Sequence, residues 1–305
     1  MFYTLTTNPA IDINMSTKSV KPDIVNRTSN ATYSANGKGL NVSFVLKHFG
    51  VNSTILGFFG GFSGTFIVNE AKKSCKVLPV WVDDTTRLNF FVNDGKDEYK
   101  FVNEGSFVTE DNQKELLKII EDAEDMEYLS ISGSLPKGIN PDYYEDILKI
   151  CRKKQTKVIL DISSVKLNEL LQYNPYMIKP NDEEIQKIFG IIIRDEEDIK
   201  DVLDLLYEKG AQNILLTLGS KGSYFYNGRN IYFANTKPVK LVSSACAGDS
   251  ALAAFLSVWN KDPDNIEEAL KLSAAAGANV AESSGIGDLK NVELYKEQIK
   301  VRKVR

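Results

Sequence analysis

One stretch of this 305-residue chain combines small residues with a single acid in a way that can do chemistry: Ser243-Ser244-Ala245-Cys246-Ala247-Gly248-Asp249-Ser250, followed by the apolar helical run Ala251 to Val258. Without bulky side chains, backbone N–H groups can converge at a helix N-terminus, where unpaired donors and the helix dipole favour an anion. Asp249 falls at the mouth of that pocket. A carboxylate there suits proton removal from an attacking hydroxyl, while the N–H groups stabilise charge on a transferring phosphoryl group. The same residues also fit an ordinary capped helix with an acid in its first turn.

Three further segments bear on the choice. Asn36-Gly37-Lys38-Gly39-Leu40-Asn41 sets two glycines ahead of a helical pattern. It fails as a dinucleotide fingerprint, because Val42 stands where a third glycine is needed and Tyr33-Ser34-Ala35 makes a poor buried parallel strand. What remains is a loop that brings backbone, the Lys38 ammonium and the Asn41 amide to one helix N-terminus, as a polyhydroxylated or phosphorylated ligand requires. Thr217-Leu218-Gly219-Ser220-Lys221-Gly222 follows a buried run and either approaches phosphate or adenine closely or turns tightly into Ser223 to Tyr226. Lys179-Pro180-Asn181-Asp182-Glu183-Glu184 places Asn181 and Glu184 three apart at a strand-to-helix junction. That pair could hold Mg²⁺ through water, or form a capping box. Neither a P-loop nor the protein-kinase signature set occurs.

Composition removes other classes. A net charge of −4 argues against a nucleic-acid surface, which needs a basic stripe, so an anionic substrate must meet local cations. No apolar run approaches the roughly 18 residues of a membrane span, and the N-terminus lacks the pattern of a secretory signal; the expected location is the cytoplasm. Cys75, Cys151 and Cys246 are too far apart for a zinc spacing and too few for a disulfide framework. The single histidine, His48, reads as a helix-end residue, which leaves Ser-His-Asp chemistry and multi-His metal sites without material.

The elements that must carry these segments alternate. Ile199, Val202, Leu203 and Leu206 recur at helical spacing before Gly210, and Asn213 to Leu218 is a short apolar run of the kind buried in a parallel sheet. Similar runs at Phe2 to Thr7, Ser53 to Phe59, Tyr128 to Ser132 and Lys157 to Leu160 alternate with helical patterns at Leu40 to Phe49, Gly64 to Ser74, Asp111 to Ala123 and Pro141 to Lys154. Such alternation predicts βαβ units around a mostly parallel sheet. Residues 11–35 and 84–106 break it with β-rich stretches, including Arg87 to Val92 and Tyr99 to Val102 around the hairpin signal Asn93-Asp94-Gly95. They predict a small separate sheet, placed as a lid. The basic tail Lys300 to Arg305 reads as a solvated terminus.

Taken together, these segments resemble the ribokinase-like PfkB family of carbohydrate kinases over nearly the whole chain. The resemblance rests on Asn8-Pro9-Ala10-Ile11-Asp12, on Gly37, Gly39, Asn41 and Ser43 followed by Gly50 and Gly60, on Asn181 to Glu184, and on Ala247-Gly248-Asp249 with Ala253-Ala254-Phe255. Asn36 and Cys246 depart from the pattern at positions where small residues are usual. Val25-Asn26-Arg27, Thr86-Arg87 and Ser132-Gly133-Ser134-Leu135-Pro136 look most like the family's 1-phosphofructokinase and tagatose-6-phosphate kinase branch.

The resemblance implies a three-layer αβα core of residues 1–10, 36–83 and 107–305, with a mostly parallel sheet, and a β-sheet lid of residues 11–35 and 84–106 that pairs two copies into a homodimer. It implies ATP and Mg²⁺, with Asp249 as base and residues 246–249 (Cys246, Ala247, Gly248 and Asp249) as anion hole. Asp12, Gly37 and Asn41 would bind sugar hydroxyls, and Lys38 and Arg87, with Arg27 and Ser134, the sugar's existing phosphate. Lys179, Asn181, Thr217, Gly219 and Gly222 would line the nucleotide side, and Glu184 with Asn181 the metal. The expected reaction is phosphorylation of fructose 1-phosphate to fructose 1,6-bisphosphate, with tagatose 6-phosphate as the alternative substrate. A non-catalytic sugar-phosphate sensor is the alternative of another class. Cys246, at a helix N-terminus, is either a thiol of lowered pKa and high reactivity or a small apolar packing residue.

Overall fold

A computed structural model of the chain describes residues 1–305. The first third runs β1 (Phe2–Thr6), β2 (Ala10–Thr17), β3 (Thr28–Asn36), α1 (Lys38–His48), β4 (Ser53–Gly60), α2 (Gly61–Lys72), β5 (Lys76–Val82), β6 (Arg87–Asn93) and β7 (Glu98–Phe101). The middle runs α3 (Glu110–Asp122), β8 (Tyr128–Ser132), α4 (Tyr143–Lys154), β9 (Lys157–Asp161), α5 (Leu167–Leu170), β10 (Met177–Ile178), α6 (Asp182–Phe189) and α7 (Glu196–Glu208). The last part runs β11 (Ile214–Thr217), β12 (Ser223–Tyr226), β13 (Ile231–Ala234), α8 (Ala247–Trp259), α9 (Ile266–Ala281), α10 (Val292–Lys296) and β14 (Val301–Lys303).

Ten strands form one sheet in the order β14-β13-β12-β11-β10-β9-β8-β1-β4-β5, and four form a second in the order β3-β2-β6-β7. Neighbours from β5 through to β11 run parallel. Beyond β11 the large sheet turns antiparallel, so the Asn213 to Leu218 run has a parallel neighbour on one side only. The basic tail is a correction: β14 pairs with β13, Arg302 meets Glu196, and Arg305 meets Asp204 at 2.8 Å. The terminus closes a sheet edge instead of lying free in solvent.

Side chains of a strand alternate between faces, and here both faces are dry. Leu129 and Ile131 of β8, Val158 and Leu160 of β9, and Ile214 and Leu216 of β11 enter one core, covered by α3, α4 and α7. Tyr128, Ile159 and Leu215 enter the other, covered by α1, α8 and α9. The result is an αβα sandwich, in which each fully buried Leu or Ile contributes about 1.5–3 kcal/mol.

The topology also locates a crevice. From β1 the sheet continues through β4 to β5 on one side and through β8, β9 and β10 on the other, and open α/β sheets bind ligands at the strand carboxyl ends where the order so reverses. Both ends of the second sheet's first hairpin open there. Only Thr7, Asn8 and Pro9 separate β1 from β2, and β3 ends at Asn36, next to Gly37, the N-cap of α1. The start of α1 packs so closely on β1 that a Cβ on Gly39 would stand 2.7 Å from the Leu5 carbonyl oxygen.

Candidate active site

Cys246 caps α8 with φ 65° and ψ −12°, a left-handed conformation that is costly for a residue with a Cβ. The N–H groups of Ala247, Gly248 and Asp249 have no acceptor within the protein, and the first bond of the helix runs from Ser250 N–H to the Cys246 carbonyl at 2.9 Å. The Lys179 ammonium flanks these donors, 3.5 Å from where a Cβ on Gly248 would stand. Helix end, free amides and cation together make a strong anion site.

Asp249 lies in the same turn and is only 5% exposed. Burial pushes its carboxyl up to about 6, helped by the nearby Asp161 charge and opposed by Lys38, the Asn41 N–H and Lys179. A carboxylate tuned toward neutrality is a better general base than an ordinary surface aspartate.

Asp161 is a member of the site that the motifs do not point to. It ends β9 with no exposed side-chain area, and its Oδ1 meets Lys179 Nζ at 3.1 Å and Lys38 Nζ at 3.3 Å. Burial alone would raise its carboxyl, but the two lysines hold it below the usual carboxylate range. Reciprocally, Asp161 raises the Lys38 ammonium. Asp161 Oδ2 is buried without any partner, and such an orphan is costly unless a ligand satisfies it. The one signal in the sequence is positional: an acid at the carboxyl end of a central strand.

A run of side-chain hydrogen bonds links the second sheet to this centre. Asp12 of β2 faces away from Ile11 and Ile13, which pack in a third apolar cluster with Ile67 and Val68 of α2. Its Oδ1 accepts from Asn89 at 2.8 Å, and its Oδ2 accepts from Asn36. Asn41 donates to Asn36 Oδ1 at 2.8 Å and to Asp249 Oδ2 at 2.9 Å. Burial raises the Asp12 carboxyl against the pull of Asn36, Asn89 and Arg87. Asp12, Lys38, Asn41, Lys179 and Asp249 therefore converge, as their chemistry demands.

Other expected ligands sit differently. Arg87, at the start of β6, donates to the main-chain oxygens of Asn8 at 3.0 Å and Asn103 at 3.1 Å, while its Nε is buried without a partner. Ser134 is exposed beyond β8, and Asn8 Nδ2 lies 3.5 Å from its hydroxyl. Arg27 does not reach the crevice within its own chain. It is exposed just before Thr28, which pairs with Thr17 at the end of the β2–β3 ladder opposite to Asn36.

On the other side of the crevice, Asn181 and Glu184 form a full capping box, with Asn181 Oδ1 accepting from Glu184 N–H at 2.7 Å and Glu184 Oε2 from Asn181 N–H at 3.0 Å. The Asn181 oxygen is thus engaged by its helix, and Glu184 Oε1 also accepts from the Ser163 hydroxyl, so of the expected metal pair each Glu184 oxygen holds one bond and retains a lone pair. Thr217 bridges to Asn181, and Gly219 and Gly222 bound the turn between β11 and β12 with positive φ. No group of three or more His, Cys, Asp or Glu is arranged to hold a metal by itself, and no helix is long and apolar enough to cross a membrane.

Of the two readings of Cys246, its surroundings favour the small packing residue. Burial, with the carboxylates of Asp249 and Asp12 nearby, pushes its thiol up to about 12, and its sulfur lies 3.3 Å from Asn41 Nδ2. Desolvation and like charge both act against the thiolate, and only the Asn41 N–H favours it.

The sequence model of the pfkB family of carbohydrate kinases matches residues 5–291. The chain is 43% identical over 302 residues to a D-tagatose-1-phosphate kinase of Klebsiella oxytoca, covering 99% of both. It is 31% identical over 305 residues to a 1-phosphofructokinase of Bacillus subtilis, covering all of both. Phosphofructokinase-2 of Escherichia coli, solved in complex with fructose-6-phosphate, superposes with a TM-score of 0.87 at 26% identity, over 97% of this chain and 99% of that one.

Proposed function

The chain belongs to the pfkB family of carbohydrate kinases, and on that premise we propose that it transfers the γ-phosphoryl group of ATP to a ketohexose 1-phosphate, first D-tagatose 1-phosphate and second D-fructose 1-phosphate. The 43% identity to a D-tagatose-1-phosphate kinase supports the first substrate, and the 31% identity to a 1-phosphofructokinase the second. A phosphate already on C1 leaves O6 as the attacking hydroxyl and gives a ketohexose 1,6-bisphosphate. Tagatose 6-phosphate, the alternative from the sequence, would be attacked through O1 and ranks third. The carrying observation is the buried Asp249 carboxylate beside three unpartnered N–H groups and Lys179.

In this reading Asp249 takes the O6 proton as the O6–P bond forms and the bond from phosphorus to the leaving ADP oxygen breaks. The amides of Ala247, Gly248 and Asp249, with Lys179, hold the transferring group. Lys38 bonds Asp161 at the same centre, so we assign it to the moving phosphoryl group, and the C1 phosphate to Arg87. Asp12, Gly37 and Asn41 take ring hydroxyls, and Thr217, Gly219 and Gly222 the nucleotide. The orphaned Asp161 oxygen and the Glu184 carboxylate fit a hydrated Mg²⁺, which would screen phosphate charge. The second sheet, joined to the site at Asp12 and Asn36, would close over the sugar and exclude water. We infer a cytoplasmic location, where ATP is supplied.

The test is product analysis by phosphorus NMR with ATP, Mg²⁺ and each of D-tagatose 1-phosphate, D-fructose 1-phosphate, D-tagatose 6-phosphate and D-fructose 6-phosphate. A 1,6-bisphosphate from the 1-phosphates is expected. Binding of these sugars without ATP turnover would sink the proposal in favour of a sensor.

A further inference from the structure

We propose that Asn36 selects the ring stereochemistry of the sugar: with Asp12 and Asn41 it forms an acceptor–donor–acceptor edge that fits a cis pair of hydroxyls at C3 and C4 and rejects a trans pair. The inference rests on the ketohexose 1-phosphate reading above.

A carboxamide offers two N–H donors and an oxygen with two lone pairs, so the unspent capacity can be counted. Asn36 Oδ1 accepts from the Gly37 backbone N–H at 2.6 Å and from Asn41 Nδ2 at 2.8 Å, which fills it. A backbone N–H can only donate, so the Gly37 contact fixes which end of the Asn36 amide faces Asn41, and this in turn fixes the Asn41 amide. Asn36 Nδ2 donates to Asp12 and keeps one N–H in hand. Asn41 uses its nitrogen on Asn36 and Asp249, with the Cys246 sulfur alongside, and its Oδ1 has no partner. Each Asp12 oxygen accepts one bond and retains lone pairs. Three neighbouring side chains thus present an acceptor, a donor and an acceptor.

D-tagatose and D-fructose differ only at C4. In the furanose ring the hydroxyls on C3 and C4 lie on one face in tagatose and on opposite faces in fructose. A cis pair can meet one edge of side chains: one hydroxyl donates to Asp12 and accepts from Asn36, and its neighbour donates to Asn41 Oδ1. A trans pair turns one hydroxyl away and leaves a member of the edge unpaired once the second sheet closes over the sugar, which costs more than an absent hydrogen bond would.

The experiment measures kcat/KM of the full chain for D-tagatose 1-phosphate and D-fructose 1-phosphate at saturating ATP, in wild type, Asn36→Ala and Asn36→Ser. Wild type is expected to favour the tagatose compound by about tenfold or more. Both variants should bring the ratio down by about tenfold, mainly through loss on the tagatose compound, with KM for ATP changed by less than about twofold. A general disturbance of the site lowers both sugars together and leaves the ratio unmoved. An unchanged ratio in either folded variant overturns the inference and spares the kinase reading. A wild type that prefers D-fructose 1-phosphate overturns the inference and the choice of tagatose, and one that phosphorylates neither sugar overturns the kinase reading as well. The wild-type ratio keeps the proposal open to refutation should a variant fail to fold.

Discussion

Asn41 and Asp249 stand 208 residues apart in the chain and meet through a 2.9 Å hydrogen bond between the first turns of α1 and α8. The donated N–H favours the charged carboxylate and aims one oxygen at Asn41. For Asp249→Asn we expect phosphoryl transfer to fall by about 10²–10⁴, with ATP affinity kept, because the amide preserves shape and loses the proton acceptor. Turnover within a few-fold of wild type would remove Asp249 from the role of base. The same variant should be more stable than wild type above pH 6. The Asp249 carboxyl is raised in the fold from 3.8 to about 6, so the native state loses stability as pH rises between those values. Replacing it should return about 3 kcal/mol in denaturant unfolding at pH 8 and little at pH 4.

The pH profile follows from the same group. Asp249 must be ionised to accept a proton, so kcat/KM should climb with pH through about 6. Lys38 and the Asn41 N–H both favour the ionised form. Lys38→Met and Asn41→Ala should each move the acid limb of the profile to higher pH, beyond lowering its plateau. An acid limb that stays in place in both variants would show that another group controls the rate.

Cys246 carries strain that glycine would not. Cys246→Gly should be more stable than Cys246→Ala by about 1 kcal/mol, since alanine keeps the left-handed cost; equal urea midpoints would contradict the observed φ. With its thiol pushed up to about 12, Cys246 should also resist iodoacetamide near neutral pH. Mass spectrometry that found rapid labelling there, with loss of activity, would restore the reactive-thiol reading.

Tyr33 and Phe101 leave 63% and 54% of their surfaces exposed, in register with Ile13 and Phe90 across the second sheet, so the face that packs on α2 continues at both edges as exposed apolar surface. We expect a dimer through that sheet, dissociated by Tyr33→Lys combined with Phe101→Lys. Sedimentation of the wild type as a monomer at micromolar concentration would remove the dimer.

Local patterns in the sequence make much of this protein legible. Strands buried on both faces appear as short apolar runs and amphipathic helices as spaced ones, so β1, β4, β8, β9, α1 and α7 can be read from periodicity, and the Asn181–Glu184 capping box from its spacing. Gly248 and Asp249 announce themselves because an anion site needs small residues and an acid side by side. Asp161 gives no such notice: a lone aspartate at a strand end becomes important only when Lys38 and Lys179, from distant segments, close on it. The position of Arg27 at the hairpin end away from Asn36 is equally silent in the sequence, because proximity to a motif says nothing about which end of a hairpin a residue occupies. The Cys246 thiol misleads because a helix N-terminus is a local feature, whereas the burial and carboxylates that outweigh it come from the assembled fold. The seam of Asp12, Asn36 and Asn41 likewise exists only where the second sheet meets α1, since Asp12 and Asn36, 24 residues apart, are brought together by the pairing of β2 with β3.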